Sequence, residues 1–125
     1  MFEVGKEEVL RGLKRFKRLA KQDLLASSMT SNPKFWSRQA EARRSMYTSL
    51  MRIIEEKGVE LAYEAARREY ASLPRFAFDG EETNPQDKGR AQALEMFFTL
   101  LGADSLGTMQ SDEATEDELG VANLS

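Results

Sequence analysis

The dipeptide Asn-Pro occurs twice, at residues 32–33 and 84–85, and it restricts the fold more than any other feature of the chain. An Asn side chain accepts a hydrogen bond from the first free N–H groups of a helix, and Pro at the first helical position gives up an N–H that has no acceptor there anyway. Each pair therefore starts a helix, and neither lets one run through. The stops fall into place behind them. Gly58 ends the helix that begins at Pro33, and Gly102 ends the one that begins at Pro85. An amphipathic run from about Lys6 to Ser27 supplies an earlier helix, and a run from about Val59 to Ser72, closed by Pro74, supplies another. The second helix, at ~1.5 Å per residue, is roughly 37 Å long and spans a small domain.

The fold expected is all-α: a compact bundle of about four helices over residues 1–102, followed by an acidic, flexible tail over residues 103–125. All 18 Lys and Arg lie in the bundle segment against 15 of the 21 Asp and Glu, a balance of +3. The tail holds the other six carboxylates and no cation, a balance of −6. Without an aromatic residue it buries too little surface to offset chain ordering unless a partner holds it. The link between the third and fourth helices contains Phe76 and Phe78, which alternate around Ala77 and are expected to plug one end of the bundle.

Composition narrows the chemistry. With no cysteine, disulfides, thiolate catalysis and Cys-type zinc sites are ruled out. With no histidine, the commonest general base and the commonest transition-metal ligand are missing. Ser27, Ser28 and Thr30 therefore have no imidazole to activate them. Gly5, Gly12, Gly58, Gly80 and Gly89 stand singly, so no phosphate-cradling loop is present. The acidic stretch from Asp79 to Asp87 lacks the alternate-position spacing of a calcium loop. A helix-turn-helix reading of residues 53–70 fails because Glu64 stands where an apolar residue is needed. These absences favour a protein that is not an enzyme and that uses neither cofactor nor metal. No apolar run reaches the ~18 residues of a membrane span, and the N-terminus lacks a signal-peptide core, so a soluble cytoplasmic protein is expected.

The helix faces give the candidate residues. On the first helix Val9, Leu10, Leu13, Phe16, Leu19, Ala20 and Leu24 share one half of the wheel, while Arg11, Lys14, Arg15, Arg18 and Lys21 share the other. The basic half is most simply a solvated face, yet together with Arg44 and Arg67, which the wheel points away from the apolar faces of their helices, it is also the candidate surface for an acidic partner or a nucleic-acid backbone. No aromatic or amide side chain interrupts the cations to read bases, which weighs against the second. Three charges sit on apolar faces instead: Asp23 on the first helix, Arg43 on the second and Glu69 on the third. Their signs are complementary, which predicts a structural ion-pair cluster. The fourth helix is apolar over more than half its circumference, as in a central helix or one shared with a second copy in a homodimer. The function expected is an interaction or regulatory role with a protein partner. The alternative is nucleic-acid binding by the basic face of the first helix, with the acidic tail as an intramolecular competitor.

Overall fold

Both Asn-Pro pairs cap helices. The side-chain oxygen of Asn84 accepts from the Asp87 N–H at 3.0 Å, and that of Asn32 from the Phe35 N–H at 3.4 Å. The computed structural model describes residues 4–74 and 84–102, and within them the fold is all-α. Helix α1 spans Lys6–Ala26, α2 Pro33–Lys57, α3 Val59–Ser72 and α4 Pro85–Leu101, with a 3-10 turn at Ser27–Met29 between the first two. No strand occurs among the described residues. None of the described helices is long and apolar enough to cross a membrane. Phe76, Phe78 and the acidic tail lie outside the described residues.

The 3-10 turn is an element the helical periodicity does not announce. Ser27 Oγ donates to the Leu24 carbonyl at 2.7 Å, and Thr30 Oγ1 donates to the Ser27 carbonyl at 2.6 Å. Such local side-chain bonds offer the backbone an alternative to the next helical turn, so α1 stops at Ala26 and the chain bends toward Asn32. At the other end of α2 a single residue makes the corner. Gly58 has φ 100° and ψ 168°, a region that residues with a Cβ essentially never occupy. Its N–H donates to the Ile54 carbonyl at 2.9 Å and its carbonyl accepts from the Ala62 N–H at 3.2 Å, tying the end of α2 to the start of α3.

Helix α2 is the spine. Helices α1, α3 and α4 all pack against it, while α1 and α3 have almost no direct contact with each other. The Phe16 ring meets Tyr47 with centroids 5.7 Å apart, and Asp23 meets Arg43, so α1 runs antiparallel to α2. Tyr63 and Tyr70 of α3 both meet Phe98 of α4 edge-on, at 5.8 and 5.4 Å between centroids. Val9, Leu13, Ile54, Leu94 and Phe97 are buried completely, and each contributes about 1.5–3 kcal/mol by leaving water. Ala62 and Ala66 turn inward on α3, and Ala91 and Ala93 on α4, small residues that let these shorter helices lie close to the spine. Most of the apolar circumference of α4 is covered within the chain: Ala91, Ala93, Leu94, Phe97 and Leu101 are buried, and Met96 is exposed.

The closest approach is between α4 and α2. A Cβ added at Gly89 would lie 2.3 Å from the Gln39 carbonyl oxygen and 2.9 Å from Ala42 Cβ. At Gly12, where α1 meets α4, an added Cβ would lie 2.8 Å from Leu100 Cδ1, the movable end of a side chain. Alanine in a helix interior is intrinsically favoured over glycine by ~1 kcal/mol. Gly89→Ala is nevertheless expected to lose about 1–3 kcal/mol in urea melts, because backbone must shift to admit the methyl group. Gly12→Ala is expected to be close to neutral in the same assay, since Leu100 can turn aside.

Candidate docking groove

Three rows of side chains, each at helical spacing, meet along one side of the spine. Phe16, Leu19, Asp23 and Ala26 come from α1, and Trp36, Gln39, Arg43 and Tyr47 from α2. Gln92, Glu95, Met96 and Thr99 come from α4, joined by Phe98 behind them and Tyr70 of α3. Both α1 and α4 pack on α2 yet touch one another sparingly, and the space between them is an open groove of about 650 Å³. A smaller recess of about 330 Å³, lined by Asp23, Ala26, Thr30, Trp36, Gln39, Arg43 and Gln92, continues it toward the 3-10 turn. Arg43 and Gln92 stand where the two spaces join.

The polar groups of the groove largely bond across helix pairs. Arg43 Nη2 donates to Asp23 Oδ2 at 2.5 Å, linking α2 to α1. Gln39 Nε2 donates to Gln92 Oε1, linking α2 to α4. Tyr70 donates its phenolic proton to Glu95 Oε2 at 2.8 Å, linking α3 to α4. Arg43 Nε is shielded and has no acceptor. What remains presented to a ligand is mostly hydrocarbon and aromatic ring, and two large apolar side chains stand at the rim, Leu19 48% exposed and Met96 41%. Tyr47, on the floor, is buried, which pushes its phenol above its ordinary 10.0, while the Arg43 cation pulls the other way.

The structure distributes the candidate residues unevenly. Arg11, Lys14, Arg15, Arg18 and Lys21 are all exposed on α1. Arg15 stands one helical turn before Leu19, and Arg11 one turn before Arg15; both are exposed, and neither lines the groove itself. Lys14 and Lys21 fall on the side of α1 turned from the groove. Arg44, placed on the outer face by the wheel, is instead half-buried on α2 with a shielded Nε that lacks an acceptor. Arg67 lies over the Tyr63 ring at 5.8 Å, on a helix with almost no direct contact to α1. Asp23 and Arg43 form an ion pair, but Glu69 does not join them. It is exposed beside Arg38, Glu41 and Arg90 at a separate groove of about 450 Å³ between α2, α3 and the start of α4. The reason is topological: α1 and α3 take different sides of α2, so charges on both cannot converge on Arg43. The part-buried Gln39–Gln92 pair has no signal in the periodicity, because an amide pattern carries no sign to match.

Asp23 is 62% exposed and Arg43 18%, so the pair is open to water at one end and its net value is small, about 1 kcal/mol or less. Arg43→Met is expected to lower the Tm by a few degrees, no more than the ~4–8 °C that 1 kcal/mol produces in a domain of this size. An unchanged Tm would mean that the pair contributes nothing. Tyr47 supplies a pH test. Its folded phenol ionises at higher pH than the unfolded one, so the stability it adds is complete below pH 10.0 and is lost as pH rises through the folded value. Urea midpoints measured upward from about that pH should fall in the native protein, and less steeply in Tyr47→Phe. Compared with family models, curated proteins and solved structures, the chain shows no match.

Proposed function

We propose that this chain is a non-enzymatic helical interaction protein whose α1–α4 groove receives an apolar segment of a protein partner, with carboxylates flanking the segment's apolar side chains. The observation that supports it most is the groove itself. Its rim leaves Leu19 and Met96 half in water, its walls carry Phe16, Tyr70 and Phe98 above Tyr47 on the floor, and its own polar groups are largely bonded to one another. An amphipathic helix laid into such a groove buries its apolar side without stranding polar atoms, the arrangement of helix-in-groove recognition. Arg11 and Arg15 on the adjoining side of α1 add the sign preference, attracting carboxylates and repelling cations next to the apolar stripe. Cytoplasmic residence and a regulatory role belong to the same proposal.

A nucleic-acid role has less behind it. The five exposed cations of α1 share one outward arc with no aromatic or amide side chain among them to read bases, and the groove next to them is mostly hydrocarbon. A photo-crosslinking amino acid in place of Leu19, with the same group in place of Lys14 as control, tests the reading in the native cell. Specific protein adducts are expected from position 19, absent from position 14 and lost when Met96→Glu is added. Adducts to nucleic acid from both positions, or equal protein adducts from both, would overturn it.

A further inference from the structure

Helix α4 forms one wall of the groove and ends at Gly102, whose φ of 77° is left-handed and whose N–H bonds back to the Thr99 carbonyl at 3.0 Å. Such a cap ends the helix one turn beyond the groove's last lining residue on α4, Thr99. The sequence that follows has the composition the groove favours. Residues 103–125 contain six carboxylates and no cation, and Leu119, Val121 and Leu124 stand directly after the cluster Glu116, Asp117 and Glu118.

We propose that this acidic segment docks back into the α1–α4 groove of its own chain, placing Leu119, Val121 and Leu124 beside Leu19 and Met96 and the Glu116–Glu118 carboxylates beside Arg11 and Arg15. The segment thus regulates the groove by occupying it. The inference rests on the reading of the groove as a docking site for an apolar, acid-flanked segment.

Reach is no obstacle. The seventeen residues from Gly102 to Leu119 can span up to ~60 Å, against ~9 Å of helix between Met96 and Gly102. Tethering supplies the rest of the argument. A linked segment meets its site at an effective concentration of order 1 mM, so an intrinsic affinity of only ~0.1–1 mM keeps the groove about half to nine-tenths occupied. A partner then binds about two- to tenfold more weakly than it would to the open groove. Charge complementarity raises the occupancy further and makes it sensitive to salt.

The chain has no cysteine, so one label can be placed cleanly. A nitroxide attached through Asn123→Cys in the full chain should attenuate the backbone amide signals of Leu19, Met96 and Thr99 more than those of α3's outer face. The attenuation should be independent of dilution, weaker in high salt, and reduced by Glu116→Gln, Asp117→Asn and Glu118→Gln together, changes that leave the helices untouched. Uniform or absent attenuation would overturn the proposal. So would attenuation that disappears on dilution or that appears in a mixture of labelled and isotope-enriched chains, since either means that the segment occupies a second copy. Crosslinking from position 19 separates this outcome from the broader one. If the label shows no docking while position 19 still captures a protein, only the present inference fails. If the segment docks and position 19 captures nothing outside its own chain, the partner reading fails instead.

Discussion

Everything in this fold leans on α2, a 25-residue helix that has to be covered by three shorter ones. A helix has only so much circumference, and α1, α3 and α4 each take a share of it. Where α4 reaches the spine, Gly89 brings it to within contact of the Gln39 backbone, closer than any side chain permits. That approach seats α4 on the spine, and the Gly12–Leu100 contact joins α1 to α4 at one end, leaving the space between them open elsewhere. The floor row from Trp36 to Tyr47 lies between them and forms the bottom of the groove. Its walls are held by bonds between helix pairs, so its shape does not have to be assembled by whatever enters it.

Much of the architecture was legible in the chain because helix ends are written in local chemistry. The two Asn caps, the corner at Gly58 and the left-handed Gly102 need no knowledge of tertiary contacts to be placed. The fully buried residues Val9, Leu13, Ile54, Leu94 and Phe97 all come from helices whose apolar arcs are wide enough to tolerate small errors of rotation. The 3-10 turn was not legible, since it depends on two hydroxyls choosing carbonyls a turn away.

The site was harder, for a different reason. A helical wheel says which residues share a side and says nothing about what lies opposite. Leu19 belongs to the apolar side of α1 and still stands half in water, because α4 does not come far enough to cover it. Asp23, Arg43 and Glu69 look alike on three wheels, yet only two of them meet, because the spine separates α1 from α3. Arg44 shows the converse: the wheel sends it outward, and the packed structure leaves it half-buried. Complementary sign identifies candidates for a pair; only topology selects among them.

The two glycines at the helix contacts differ in what faces them, and that difference bears on how this sequence can drift. Gly12 looks onto the end of the Leu100 side chain, so a larger residue at one position can be answered by a smaller one at the other. Gly89 looks onto a main-chain oxygen, which every amino acid carries alike. No replacement at position 39 makes room there. Descendants of this chain can therefore exchange volume between positions 12 and 100 as a covarying pair, whereas position 89 has nothing to covary with and is held to glycine for as long as the groove keeps its shape.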